Sequence, residues 1–206
     1  MTLNRGAANE RSQRRRSEIL QAAHDVFTAR GYRNGSLGEI AEIVGITHQG
    51  ILHHFGSKER LLVEVLRARD EAGRDEAERD QKPVGAAFLA HLIRTVTLNE
   101  QRSGIVQAYT VLSAESVTSG HPAQEWFRAR FGVLRDELRQ ALAQLFPAGL
   151  TLDDAALDAG ASAIIAVMDG LQVQWLLDPA AVDMPAIVRS VIDSMLAGWN
   201  LPALPE

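Results

Sequence analysis

The sequence predicts an all-α fold of about nine helices, and three observations carry that prediction. Strand signals are nearly absent: the chain has only two tyrosines, and alternating apolar–polar runs are rare. Apolar residues instead recur every three or four positions along the chain. Breakers punctuate the pattern at Gly31, Gly45, "SGHP" (119–122), "FPAG" (146–149) and "LDP" (177–179).

Residues 1–10 read as a disordered polar tail. The first helix is expected from about Arg11 to Arg30, burying Ile19, Leu20, Ala23, Val26 and Phe27, with Gly31 as its left-handed cap. A short helix follows over about 37–44, with Ser36 as N-cap and Leu37, Ile40, Ala41 and Val44 turned inward. Gly45 makes the turn, Thr47 caps a third helix to about Phe55, and Ser57 caps a fourth carrying Leu61, Leu62, Val65 and Leu66. Beyond Arg67, "ARDEAGRDEAERDQK" is polar on every side, which places a linker helix and a domain junction around 70–82. Five longer helices are expected over about 84–101, 103–118, 122–146, 153–177 and 185–199. The result is a three-helix head over 11–73, joined by the linker helix to a C-terminal bundle over 74–206.

Composition narrows the function. At 206 residues the chain can bury a substantial core, and 46% apolar with 23% charged residues is ordinary for a globular protein. No cysteine is present, so disulfides and thiolate metal sites are excluded. The N-terminus lacks the apolar core of a signal peptide. The longest uncharged apolar run, Ala159 to Met168, is about half of the ~20 residues a bilayer span needs. A cytoplasmic protein without a membrane partner is therefore expected. Charge is uneven: residues 1–60 carry nine Lys/Arg against six Asp/Glu, and the remainder twelve against twenty. A basic head on an acidic body points to a polyanion partner at one end.

The stretch "GITHQGILHHFGSKERLL" (45–62) holds three of the six histidines. The two short helices around Gly45 have the size and apolar spacing of a helix-turn-helix over about 36–55. At ~100° per residue, Ile51 and Phe55 share an inward face, while Gln49 and His53 fall roughly opposite, with Gly50 and Leu52 on the flanks. The outward face is thus hydrogen-bonding, nearly uncharged and small at one point. Metal binding fits poorly, because His48 and His53 lie ~140° apart and chelation on one helix wants i,i+4 spacing. Acid–base catalysis lacks an oriented partner and a pocket. Groove contact suits the residues better: Gln pairs bidentately with adenine, and imidazole donates to phosphates or base acceptors. No cofactor, metal or catalytic residue is expected.

"SLGEIAEIVGITHQGILHHFGSKERLL" resembles the DNA-binding head of TetR-family (tetracycline-repressor-like) regulators, which run from helix-turn-helix into a fourth helix through a pattern like "x-LYxHF-x-x-K-x-x-L". Ile51, His54, Phe55, Lys58 and Leu61 match it, with Gly45 at the turn, and the resemblance spans about 13–73 without a gap. It implies that Ser36 and Leu37 meet the DNA backbone, that Thr47, His48, Gln49, Gly50 and His53 face the groove, and that Lys58 holds a phosphate. Where the family carries a phosphate-touching tyrosine this chain has Leu52, which leaves His53 or His54 to take over that contact.

"RSQRRR" (11–16) offers Arg14, Arg15 and Arg16 as an arm reaching phosphates or a minor groove, the alternative being a solvated helix start.

The resemblance also implies a homodimer, with the last two helices pairing with their symmetry mates, and a cavity for a small-molecule inducer. The segment "AALDAGASAIIAVMDGLQVQWLLDP" (155–179) supports the first on its own, being apolar on nearly every side between Ala159 and Met168 and rich in small residues. The expected interface comprises Ala163, Val167, Gly170, Gln174, Val188, Val191, Ile192, Met195 and Trp199. An intrachain core is the alternative. Cavity candidates are Phe88, His91, Tyr109, Trp126, Met168, Asp169 and Trp175, large or polar-tipped side chains on the bundle helices. Asp169, an acid beside an apolar run, needs a partner, whether a ligand donor or a structural one.

The sequence is accordingly expected to encode a ligand-responsive, sequence-specific DNA-binding regulator, a repressor released from a palindromic operator. Two alternatives are a constitutive DNA-binding protein without inducer and a helical carrier or enzyme. The latter lacks a catalytic constellation past residue 83.

Overall fold

A computed structural model describes residues 3–72, 83–147, 149 and 152–205. Among them are nine α-helices and no strand: α1 (Leu3–Asn34), α2 (Leu37–Val44), α3 (His48–Phe55), α4 (Lys58–Ala72), α5 (Gly85–Asn99), α6 (Ser103–Ser116), α7 (Gln124–Ala143), α8 (Asp154–Leu177) and α9 (Met184–Gly198). The proposed junction around 70–82 falls largely outside the described residues.

Two expectations about α1 are corrected. Helix begins at Leu3, in place of a loose tail through residue 10. No proline interrupts that stretch, and an existing helix extends at little cost per residue. Gly31 is also not a left-handed cap. Its φ of 71° comes with ψ of 167°, so the helix breaks there before a last helical piece to Asn34. A Cβ at Gly31 would lie 2.7 Å from Glu115 Oε1, and Tyr32 N–H donates to Glu115 Oε2 at 3.0 Å. The glycine supplies both the positive φ and the space for that carboxylate.

The chain forms two compact units, divided otherwise than by a single cut. The first comprises residues up to Ala72 together with Gln107–Trp126; the second comprises the rest. In the first, α1 packs on α2 and α4, and α3 packs on α2 and α4. Its buried residues include Ile19, Ala23, Val26 and Phe27 from α1, Leu37, Ile40 and Ala41 from α2, Ile51 and Phe55 from α3, Leu61, Leu62, Val65 and Leu66 from α4, and Tyr109 and Leu112 from α6. In the second, α9 packs on α5 and α8 around Leu89, Leu92, Leu138, Leu142, Ile164, Trp175, Val188 and Ile192. The segment after α9 folds back onto this core: Leu204 is buried, and its N–H donates to Asp193 Oδ1 at 2.9 Å.

α8 is long and apolar enough to cross a membrane by length and composition alone. Only 33% of its most apolar stretch is buried within the chain.

Candidate nucleic-acid interface

The helix-turn-helix is built from its caps. Ser36 Oγ accepts Glu39 N–H at 3.0 Å and Thr47 Oγ1 accepts Gly50 N–H at 3.1 Å, each taking one of the donors a helix start leaves unpaired. Gly45, in the left-handed region at φ 70° and ψ 38°, closes α2, with Ile46 N–H reaching back to Ala41 carbonyl oxygen at 3.0 Å. Ser57 Oγ accepts Arg60 N–H at 3.2 Å at the start of α4.

α3 is pinned from behind. Ile51 is 0% and Phe55 4% exposed, whereas His48, Gln49 and His53 are exposed and Gly50, Leu52 and His54 half-buried. The His53 and His54 rings stand edge to face with centroids 5.8 Å apart, a divergent pair rather than a chelating one. Among the described residues no group of three His, Asp or Glu side chains is placed to hold a metal ion. Gly50 keeps ordinary backbone angles, and a Cβ there would meet nothing closer than Thr47 Oγ1 at 3.5 Å. Its smallness is therefore not required by the fold.

Several expected contacts need correction. Leu37 is buried, so its side chain belongs to the core and only its backbone N–H, at a helix start, is left to meet a phosphate. Lys58 does not extend freely: its ammonium sits 4.5 Å over the Tyr32 ring and donates to Arg33 carbonyl oxygen at 3.4 Å. Burial lowers its pKa, against the opposing pull of Glu59 and Glu115.

The arginine arm is corrected in the same way. Arg14 is exposed, but Arg15 Nη1 donates to Val44 carbonyl oxygen at 3.0 Å and pairs with Glu18 at 2.9 Å. Arg16 donates to His54 carbonyl oxygen at 3.3 Å, pairs with Glu64 and lies 4.4 Å over the Phe55 ring. Both are engaged by the protein itself, with side chains that stay 42% and 39% exposed. Sequence pattern registers a basic run but not the carbonyls that two neighbouring short helices leave over.

A polar cluster around Tyr32 was likewise invisible in the sequence. Tyr32 hydroxyl donates to Glu59 Oε1 at 3.1 Å, and the His121 ring stands edge-on to it at 5.1 Å. Burial, then the charge and hydrogen bond of Glu59, raises the tyrosine's pKa. The hydrogen bond from Ser57 is the leading influence holding Glu59 below the usual carboxylate range. His121 Nδ1 accepts Ala123 N–H at 3.2 Å, and burial lowers its pKa despite Glu115 nearby.

In the second unit, Val188 and Ile192 are each only 1% exposed and so belong to the chain's own core rather than to a surface for a partner. Met195 and Trp199 are half-buried, and both approach Gly160, where a Cβ would lie 2.7 Å from the Trp199 ring. Of the expected interface, Ala163, Gly170 and Gln174 are exposed, and Val167 and Val191 half-buried. The cavity candidates divide. Tyr109 and Trp126 belong to the first unit; Phe88, His91, Met168, Asp169 and Trp175 belong to the second. Trp175 and Tyr109 are buried, and Phe88 and His91 lie 6.5 Å apart, ring to ring, on α5. Asp169 is half-buried and engaged, as an acid beside an apolar run requires. An open groove of about 420 Å³ is lined by Glu59, Arg60, Val63, Glu64, Arg67 and Pro122, none of them a cavity candidate.

A capped pair of short helices, one with a buried apolar back and a hydrogen-bonding front without Lys, Arg, Asp or Glu, defines a helix-turn-helix DNA-binding protein. Residues 19–65 match the family described as bacterial regulatory proteins, tetR family, and residues 86–197 match the C-terminal domain of BetI-type transcriptional repressors. The chain belongs to the tetR family of transcriptional regulators and is not an enzyme. It is 27% identical to the probable regulator ArpR of Pseudomonas putida over 205 residues, 95% of this chain and 96% of that one. A transcriptional regulator from Rhodococcus sp. Rha1 superposes with a TM-score of 0.72 at 23% identity, covering 92% of this chain and 99% of that one. SmeT, the repressor of a Stenotrophomonas maltophilia multidrug efflux pump, superposes in its triclosan complex with a TM-score of 0.71 at 21% identity, covering 89% and 90%.

Proposed function

We propose that the protein is a homodimeric repressor that places α3 of each subunit in successive major grooves of a palindromic operator and is released by a small molecule. The carrying observation is the asymmetry of α3: Ile51 and Phe55 anchor it, while His48, Gln49 and His53 stand exposed with no charge among them beyond what the imidazoles carry. A solubilising surface would hold Lys and Glu there. Gln49 can pair with adenine, and the imidazoles can donate to base acceptors or phosphates. The Ser36 and Thr47 oxygens, already accepting backbone N–H groups, keep their own hydroxyl protons for phosphate oxygens.

Two copies are needed because an eight-residue helix reads few bases, whereas two helices ~34–36 Å apart read both halves of a palindrome. The uncovered face of α8 supplies a surface for that pairing: Ala159, Ser162, Ala163, Ala166 and Gly170 are exposed, and Val173 and Leu177 are 45% and 82% exposed. Ile187 of α9 is also exposed. Inducer binding is supported by the C-terminal match to repressors and by a triclosan complex of a protein of similar fold. Phe88, His91, Met168 and Asp169 are the side chains assigned to it in the second unit. A tenfold shift toward a non-binding state takes ~1.4 kcal/mol of differential affinity. The protein works in the bacterial cytoplasm, at the nucleoid.

Selecting bound duplexes from a random pool tests this: a two-fold symmetric consensus is expected, and its absence would remove the proposal. A thermal-shift screen against small molecules addresses release, since a ligand of the native state raises its Tm.

A further inference from the structure

We infer that Arg16, with Arg15 beside it, is a positioning residue for DNA reading: it sets the pose of α3 from within the protein instead of touching the DNA. This rests on the assignment of α3 as the helix that enters the groove.

The inference starts from helix ends. α2 and α3 are eight residues each, too short to be stable alone, and each leaves its last carbonyls without intrahelical donors. Backbone turns satisfy some of these: Ile46 N–H takes Ala41 carbonyl oxygen, and Gly56 N–H takes that of Leu52 at 2.7 Å. Two of those remaining are taken by adjacent arginines of α1. Arg15 donates to Val44 carbonyl oxygen at the end of α2, and Arg16 donates to His54 carbonyl oxygen at the end of α3. Successive residues on a helix diverge by ~100°, which lets neighbours serve two different helix ends. Both cations sit where the helix dipoles are negative.

Arg16 does more than cap. One terminal nitrogen donates to the His54 carbonyl, the other pairs with Glu64 of α4, and the guanidinium plane covers Phe55, the residue that anchors α3. Three helices are therefore tied at one planar group. A lysine ammonium has one nitrogen in place of this planar fork, so it would have to serve the carbonyl, the carboxylate and the ring from a single point on a differently shaped side chain. With both terminal nitrogens engaged in this way, the side chain is held in one pose rather than free as the arm that the basic run resembles.

The test compares Arg16→Met, Arg16→Lys and Arg14→Gln with the wild type, using a selected operator and a scrambled duplex well below each protein's Tm. Arg16→Met is expected to lower the operator-to-scrambled ratio about tenfold, the worth of one base-edge contact. The salt slope on scrambled DNA should stay unchanged. Arg16→Lys, which keeps the charge beside Glu64 and guards against an unfolded methionine variant, is expected to recover Tm but not the full ratio. A ratio left intact while the slope falls by about one would make Arg16 a phosphate contact and overturn the inference. So would a ratio and slope both intact while only Tm drops. If the wild type itself prefers no duplex, the assignment of α3 fails first. Hydrogen exchange then decides for Arg16 on its own: amides of residues 51–56 should lose protection in Arg16→Met relative to those of residues 40–44, and equal protection refutes it.

Discussion

α3 and α8 each leave one face uncovered within the chain, and the chemistry of those faces differs completely. On α3 the bare side is imidazole and amide, backed by two fully packed apolar anchors. On α8 it is mostly alanine, glycine and valine, with Leu177 more than four-fifths exposed. A polar face rich in directional donors and acceptors loses little in water and gains by matching a patterned surface. A flat face of small, largely apolar groups gains only by excluding water against a surface of the same kind. One face is thus suited to DNA and the other to a second copy of the chain.

The largest expected effect separates reading from folding. Gln49→Ala with His53→Ala should remove two base-edge contacts, about 2–6 kcal/mol of discrimination, while helicity and sedimentation stay as in the wild type. Mobility-shift competition against scrambled DNA measures it; an unchanged preference would break the comparison at α3.

Next come paired changes in the second unit. Ile192→Ala removes a fully buried side chain and should cost about 2–5 kcal/mol in urea unfolding. Val173→Asp should leave the subunit core intact and instead shift sedimentation toward the monomer. If the aspartate variant remains a dimer, α8 does not present its bare face to a partner.

A smaller effect sharpens the role of Gly50. Alanine fits that position, so Gly50→Ala should gain up to about 1 kcal/mol of stability from helix propensity. Operator affinity should fall at the same time, because the added methyl stands at the groove edge. Gain without loss would place Gly50 away from DNA.

The smallest effect concerns pH. Burial favours neutral His121, so the unfolded chain binds more protons than the folded one in mild acid. Stability should be fully present above the unfolded value of about 6.5 and decline as pH falls toward the lowered folded value. Urea midpoints at about pH 7.5 and 5.5 should separate for the wild type and converge partly for His121→Gln.

Much of this was legible residue by residue. Ser36, Thr47 and Ser57 cap where hydroxyls precede apolar periodicity, and Gly45 turns where a left-handed residue is needed, because those are local events. The anchors Ile51 and Phe55 follow from the helical period alone. The reassignments of Lys58, Arg15 and Arg16 share one cause. Each side chain is polar or flanking by pattern, yet a neighbour distant in sequence claims it, and pattern holds no information about which carbonyl or ring lies within reach. The same holds for Val188 and Ile192, whose stripe on α9 shows that a face is buried but not against which surface.

The order of residues determined the helices, the caps of α2, α3 and α4, the inward and outward sides of α3 and the membership of a regulator family, since all of these rest on spacing over a few turns. Tertiary structure alone decided that two arginines of α1 hold the ends of the two short helices. It also brought Glu115 to the break at Gly31, far earlier in the chain, and turned part of the expected dimer stripe into core. Those outcomes depend on long-range contacts in three dimensions, where a carbonyl, a ring or a methyl group becomes the partner of whatever the packing sets beside it.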